Sequence, residues 1–117
     1  MPRVLVVDDE TGVRESIRMI LRGQCDVETA DSVDAGLAAL RKGDIDLVLL
    51  DLVMPGRDGF ALLEALAKQD QPPPVLVLTA TRDASAAERA RALGAIDCFR
   101  KPFEIEALRT RVRELTA

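Results

Sequence analysis

The chain has 117 residues, of which 48% are apolar, and its formal net charge is −4. This length favours one domain with a packed core, and the acidic balance disfavours direct contact with nucleic acid. Aromatic residues make up only 3%, with no Trp or Tyr, which disfavours stacking platforms for bases or sugars. Histidine is absent, so Ser-His-Asp and Cys-His catalysis and His-ligated metal sites are excluded.

The two cysteines, Cys25 and Cys98, lie far apart and lack metal-ligand spacing. They are therefore predicted to be buried, reduced thiols of a cytosolic protein. No apolar run approaches the ~20 residues that a membrane span needs, and residues 1–3 lead into a strand without a visible signal peptide. These features predict a cytoplasmic location and no membrane partner.

In chain order, the first half alternates between short apolar runs, typical of strands buried on both faces, and segments of helical periodicity. Ser32 is placed to cap the second helix, which ends near Lys42 and Gly43. The predicted elements are a strand at 4–7, a helix at 10–22, a strand at 27–30, a helix after Ser32 and a strand at 47–50.

The second half continues this alternation after a loop at 54–59, which Pro-Gly and Asp-Gly pairs indicate. Asp83 is placed to cap an alanine-rich helix that Gly94 ends. Ile105 begins the apolar stripe of the last helix and is expected to face the core. The predicted elements are a helix at 60–68, a strand at 75–78, a helix at 84–93, a strand at 96–99 and a helix at 104–115.

Five strand–helix repeats with short connections predict an α/β fold, in which a parallel sheet is covered by helices on both faces. No linker, internal repeat or low-complexity stretch interrupts the pattern. Residues 1–117 are therefore expected to form a single domain, with no output domain in this stretch.

Oxygen-bearing side chains stand where the strands end. Asp8 and Asp9 follow the first strand, Asp51 the third, Thr79 the fourth, and Lys101 comes after the fifth. The carboxyl ends of parallel strands share the edge at which ligands bind. Carboxylates brought together there repel one another unless a divalent cation lies among them, and oxygen ligands without His or Cys favour Mg²⁺. This set suits phosphoryl transfer, with Asp51 as the nucleophile that forms an aspartyl phosphate.

Each of these residues also has a purely structural interpretation. Asp9 alone is typical of a helix cap, and Asp51 of a turn. Thr79 is typical of a strand-end hydrogen bonder, and Lys101 of a solvated surface residue. Their joint placement after separate strands favours one shared site.

The motifs resemble the receiver domain of two-component response regulators over essentially the whole chain. They are Val6-Val7-Asp8-Asp9-Glu10, residues 49–59, Leu78-Thr79-Ala80, Gly94-Ala95 and Lys101-Pro102-Phe103. The resemblance implies a flavodoxin-like (βα)5 sandwich of three layers, with a five-stranded parallel sheet of order 2-1-3-4-5. It implies a phosphoacceptor signalling domain that catalyses only its own phosphorylation and dephosphorylation, with a sensor histidine kinase or phosphotransfer protein as its partner.

The same resemblance implies roles for individual residues. Asp51 is the expected phosphoacceptor. Asp9, Asp51 and the backbone carbonyl of Val53 are the expected Mg²⁺ ligands, with Asp8 acting through water. Lys101 is expected to contact the phosphate and to precede a cis peptide bond.

Thr79 is expected to move toward the new phosphoryl group and so to shift the face formed by the fourth helix, the fifth strand and the last helix. That face would control a partner or an output domain and can support a homodimer. Its candidate contacts, each with solvated surface charge as the alternative, are Arg91, Asp97, Arg111 and Arg113.

The chain departs from the family pattern three residues before the lysine, where Cys98 replaces the usual Tyr or Phe. A thiol is too small to gate a pocket as a ring does. Phe99 points to the other face of a strand and is expected to be plain core. Val53, two residues after Asp51, is expected to influence how water reaches the acyl phosphate.

Three other functions fit parts of the pattern. A phosphohydrolase with an aspartate nucleophile typically needs a second Asp where this chain has Val53, and the chain is short for a cap domain. A flavin-binding module needs a Ser/Thr/Gly-rich loop after the first strand and stacking aromatics, which are missing. A pseudo-receiver would lack the acidic pair, Asp51, Thr79 and Lys101, although Cys98 is compatible with it.

Overall fold

A computed structural model describes residues 1–54, 56 and 58–117. Pro55 and Arg57, within the loop predicted at 54–59, lie outside the described residues. Strands and helices alternate along the chain as predicted. They are β1 (Arg3–Val7), α1 (Thr11–Ile20), β2 (Asp26–Ala30), α2 (Val33–Arg41), β3 (Leu47–Leu50), α3 (Gly59–Ala67), β4 (Val75–Thr79), α4 (Ala84–Ala92), β5 (Asp97–Arg100) and α5 (Ile105–Leu115).

The strands form one parallel sheet in the order β2-β1-β3-β4-β5, which confirms the flavodoxin-like topology. Val7 of β1 pairs with Leu50 of β3, and Leu50 pairs with Val77 of β4. Asp8 and Asp51 are the residues that follow this matched pair, so the register brings both to the same edge of the sheet. The order places β3, and with it Asp51, at the centre.

Alternate residues of the buried strands pack on opposite faces of the sheet. Leu5 and Val7 belong to an aliphatic cluster with α2, α3 and α4. Val4 and Val6 belong to a second cluster with α1 and α5. The buried side chains of both clusters are non-aromatic, mostly leucine, valine and alanine in the first and leucine and valine in the second, as the low aromatic content predicts.

Two of the predicted caps are present. Ser32 accepts a hydrogen bond from the Ala35 N–H over 3.1 Å, and Asp83 accepts one from the Ser85 N–H over 3.0 Å. Asp9 does not cap the first helix, because the N-cap position of α1 is Glu10, whose side chain makes no capping bond. Asp9 is therefore not the helix cap that its purely structural interpretation predicted.

Some burial predictions were wrong. Ile105 is 53% exposed, because the first turn of α5 lies at the edge where the strands end and the sheet no longer covers it. The last strand begins at Asp97 rather than at Ile96, which is itself exposed.

Cys25 is buried as expected, whereas Cys98 is only partly buried; both are free thiols. Phe99 packs on the α1/α5 side and Cys98 on the opposite side, as predicted.

Among the described residues, no helix combines the length and the hydropathy that crossing a membrane requires.

Candidate functional site

Lys101 joins the two buried carboxylates at the centre of the sheet edge. Its Nζ donates a hydrogen bond to Asp8 Oδ2 over 2.7 Å and lies 3.6 Å from Asp51 Oδ2. Asp8 is 2% exposed and Asp51 is 6% exposed, so both acids are removed from bulk water. The structure thus confirms the predicted proximity of these three side chains.

Backbone hydrogen bonds continue the sheet ladder into the site and so fix where these side chains start. The Asp8 N–H donates to the Ala30 carbonyl over 3.1 Å, and the Asp51 N–H donates to the Val7 carbonyl over 3.0 Å. On the other side, the Lys101 N–H donates to the Thr79 carbonyl over 2.8 Å, and the bond from Lys101 to Pro102 is cis, as expected. The site is therefore built on the hydrogen-bonded carboxyl ends of the strands.

The electrostatics of the cluster follow from burial and from the shared ammonium. Burial raises the pKa of Asp51 above its ordinary value, and the nearby charge of Asp8 acts in the same direction. The Val53 N–H and Lys101 act the opposite way, but only partly offset this rise in the Asp51 pKa. Burial by itself would lower the pKa of Lys101, yet its bond to Asp8 and the charge of Asp51 outweigh burial and raise it.

A group of three acids lies at the start of α1. Oxygen atoms of Asp8, Asp9 and Glu10 all lie within 4.8 Å of one another, and the Glu10 N–H donates to Asp8 Oδ1 over 2.9 Å. Carboxylate oxygens at this spacing are the donor set that a hard divalent cation such as Mg²⁺ accepts. Glu10 was not among the predicted ligands, although three consecutive acids at a strand end are a signal for it.

The other two predicted site residues flank this cluster. The Val53 N–H donates to Asp51 Oδ1 over 3.2 Å, and the Val53 side chain is 65% exposed at the mouth of the site. Thr79 is the last residue of β4 and is 3% exposed; its hydroxyl oxygen accepts a bond from the Thr81 N–H over 3.3 Å. Within the described residues, that hydroxyl makes no hydrogen bond to Asp51 or Lys101.

Arg14 is a contact to the site that the sequence pattern did not predict. Its Nη1 donates to the Asp8 carbonyl over 2.7 Å, and its Nη2 donates to Thr11 Oγ1 over 3.1 Å. The guanidinium thus spans the loop that carries the acids, at a helix start where no side-chain cap is formed. The sequence offers one hint of this contact, namely that Arg14 lies in the first turns of α1, close to the acids.

Gly59 allows the start of α3 to lie directly against the backbone of Asp51. Its N–H donates to the Leu52 carbonyl over 3.0 Å. A Cβ at this position would collide with the Asp51 carbonyl oxygen and with the Leu52 Cα. The Asp-Gly pair indicated only a loop, whereas the structure assigns Gly59 a packing role at the site.

The face of α4, β5 and α5 carries a shared ion pair. Asp97 Oδ2 lies 3.1 Å from Arg111 Nε on α5, and Asp97 Oδ1 lies 3.8 Å from Arg91 on α4. Three of the four predicted contacts on this face therefore pair with one another. Arg113, the fourth, is an exposed residue of α5.

Comparison with known proteins identifies the family. The response regulator receiver domain matches residues 4–113. Transcriptional regulatory protein CiaR of Streptococcus pneumoniae is 34% identical over 98% of this chain and 51% of its own length, and heme response regulator HssR of Staphylococcus aureus is 39% identical over 97% and 50%. The chain therefore spans about half the length of these curated relatives.

A solved structure agrees with this result. Chemotaxis protein CheY4 of Vibrio cholerae superposes with a TM-score of 0.90 and 30% identity, over 98% of each chain. The family match, the parallel sheet order and the acids joined by Lys101 at its edge lead to one conclusion. This chain belongs to the response regulator receiver domain family.

Proposed function

We propose that Asp51 accepts a phosphoryl group from the phosphohistidine of a sensor histidine kinase or phosphotransfer protein. The observation that carries this proposal is the position of Lys101, whose ammonium reaches both buried acids of the site. A lysine held between two carboxylates is arranged to compensate negative charge, which is the main requirement of phosphoryl transfer.

In the proposed reaction, a carboxylate oxygen of Asp51 attacks the phosphorus atom as the bond from phosphorus to the donor histidine nitrogen breaks. The histidine leaves with the electron pair of that bond, and the product is an acyl phosphate on Asp51. Lys101 stays charged across the working pH range because its acidic neighbours raise its pKa. Asp51 Oδ1 is oriented by the Val53 N–H.

Asp8, Asp9 and Glu10 are the residues that would hold Mg²⁺ at this edge. The sequence predicts Asp51 and the Val53 carbonyl as ligands too, but the group of three clustered acids does not include Asp51. When bound, the ion would supply positive charge against the phosphoryl oxygens. Arg14 holds the Asp8 backbone from the outside, so we propose that it keeps these acids in position.

The new phosphoryl group would carry about −1.5 to −2 units of charge beside Lys101, in place of the single negative charge of the Asp51 carboxylate. The Thr79 hydroxyl oxygen accepts a bond from the Thr81 N–H, and the hydroxyl proton can be donated to a phosphoryl oxygen. We propose that this pulls the loop before α4 and shifts the face of α4, β5 and α5, which then controls a partner or an output domain. Self-association through this face and a cytoplasmic location stay predictions from the sequence.

The direct test is covalent labelling. Incubation with acetyl phosphate and Mg²⁺ is expected to add the mass of one phosphoryl group, in an adduct that is stable to acid and labile to base. A sample treated with a chelator before labelling is the control and is expected to stay unmodified. If the complete mixture leaves the mass unchanged, the proposed function is wrong.

The metal assignment has its own test. Asp9→Ala is expected to weaken Mg²⁺ binding by about tenfold or more, because one of three clustered oxygen ligands is removed. Calorimetric titration gives the affinity, and Glu15→Ala, which removes the same charge farther along α1, is the matched control. Equal Mg²⁺ affinity in Asp9→Ala and the unaltered protein would mean that the ion binds elsewhere.

The phosphohydrolase alternative is disfavoured by Val53. Its exposed apolar side chain stands where such an enzyme needs a carboxylic acid to protonate the leaving group, and it cannot supply that proton. Turnover of a small phosphate ester, measured with a phosphate-release assay, would favour the enzyme over the phosphoacceptor.

A further inference from the structure

A cavity opens between the start of α4 and β5. Its volume is about 180 Å³. The small side chains of Ala84, Ala87 and Cys98 leave this space open, at the position where the family usually has a ring. Thr79 forms part of its wall, so the cavity adjoins the proposed phosphoacceptor site.

The charge around this cavity is unusual for an acidic chain. Arg82, Arg91 and Arg100 all line it. The one acid in its lining, Asp83, is engaged by the Ser85 N–H and hydroxyl, over 3.0 and 2.7 Å. In the ranges 1–54, 56 and 58–117, Arg82 and Arg100 make no ion pair and no side-chain hydrogen bond. The cavity is therefore a positively charged recess in a protein of net charge −4.

We infer that this recess is a docking site for an acidic side chain, a glutamate or aspartate on a segment of the partner protein that reads the state of the receiver. The methylene group of such a side chain fits against Ala87 and Cys98, and its carboxylate fits the arginine forks in a charge-assisted pair. A two-fold axis that passed through the recess would place its arginines opposite the same arginines, so a second copy centred on the recess would meet repulsion there.

Docking is expected to respond to phosphorylation, and this coupling, unlike docking itself, rests on the proposed function. Thr79 has its hydroxyl turned to the Thr81 N–H, and both residues line the recess. Movement of Thr79 toward Asp51 would change the wall that the acidic side chain contacts. If phosphorylation changes the affinity of the recess for the acidic side chain by some factor, linkage requires that binding of this side chain changes the phosphorylation equilibrium by the same factor.

The experiment uses a fluorescein-labelled hexaglutamate peptide as the probe and fluorescence anisotropy as the measurement. The unaltered protein is expected to bind hexaglutamate and not hexalysine. Cys98→Phe, which fills the recess, and the double variant Arg82→Ala/Arg100→Ala are each expected to weaken binding by about tenfold. Cys98→Ser, which keeps the volume, is expected to bind as the unaltered protein does.

The matched control for charge is Arg41→Ala/Lys42→Ala at the end of α2, which packs against the opposite edge of the sheet. It removes the same two charges and is expected to change binding by less than about twofold. The inference is overturned if hexaglutamate does not bind, if this control loses as much affinity as the recess variants, or if Cys98→Phe binds normally. It is also overturned if the protein self-associates in sedimentation and Cys98→Phe abolishes that association.

The labelling experiment separates this inference from the proposed function. Peptide binding at the recess without an Asp51 adduct would support docking and contradict the phosphoacceptor role. An adduct without peptide binding would contradict docking alone.

Discussion

Asp51→Asn is expected to abolish the phosphoryl adduct completely and, at neutral pH, to make the protein more stable. The first effect follows because an amide cannot act as the attacking carboxylate. The second follows from burial: Asp51 is 6% exposed, and burial raises its pKa. Keeping it ionised at neutral pH therefore costs folding free energy, which an uncharged amide of similar shape avoids.

The pH dependence gives this stability prediction a definite sign. Because the pKa of Asp51 is raised on folding, the folded state holds a proton more tightly than the unfolded state does. The free energy of unfolding should therefore fall as the pH rises from the ordinary aspartate range through the raised pKa of Asp51. Urea unfolding curves across this range should show the fall in the unaltered protein and a smaller one in Asp51→Asn.

Asp58→Asn is the matched control for both measurements. Asp58 is an exposed acid at the N-cap of α3, in the same loop, and its side chain makes no capping bond. It should keep the adduct. An undiminished adduct in Asp51→Asn would mean that another residue is the phosphoacceptor. If the free energy of unfolding depended on pH in the same way in Asp51→Asn and in the unaltered protein, Asp51 would not be the cause of that dependence.

Gly59→Ala is expected to destabilise the fold by about 1–3 kcal/mol, the cost of forcing extra volume into a filled space. The added methyl group would collide with the Asp51 carbonyl oxygen and the Leu52 Cα. Backbone atoms cannot rotate away as a side chain end can, so α3 must move off the strand end that carries Asp51. We therefore expect slower labelling by acetyl phosphate together with a lower urea midpoint.

Gly12→Ala is the control for this substitution. Gly12 lies within α1, and a Cβ there would meet nothing within 4 Å. Since glycine in a helix is less favourable than alanine by about 0.5–1 kcal/mol, this variant should be slightly more stable. Equal stability changes in the two variants would show that the collision at Gly59 is relieved at no cost.

The parallel sheet and the convergence of Asp8, Asp51 and Lys101 could be predicted because they depend only on where the strands end and on the strands being parallel. Apolar runs of four residues indicated the strands, and each polar residue that ends a run must lie at the shared edge. Burial on the helices was harder to predict. Ile105 matches the apolar stripe of α5 but lies beyond the cover of the sheet, so periodicity assigned it wrongly.

The contacts that shape the site were also beyond the reach of the pattern. Nothing in the sequence distinguishes Arg14 from the other arginines. Its role became visible only in the structure, where α1 brings its guanidinium to the Asp8 carbonyl. For Gly59, the sequence predicted only a loop. The structure shows that α3 approaches Asp51 so closely that a residue without a side chain is required there. Such roles depend on distances between backbone segments, which spacing along the chain does not encode.

Asp97 has a consequence for how a signal could travel. It stands on an edge strand between α4, which packs with the α2/α3 layer, and α5, which packs on the reverse side. One carboxylate is thus divided between Arg91 and Arg111. If α4 moved and Arg91 withdrew, Arg111 would remain as the arginine partner of Asp97, and a protein bound to α5 alone would sense the change on α4. The two ion pairs of Asp97 thus connect α4 with α5 at the edge of the sheet, outside its packed interior.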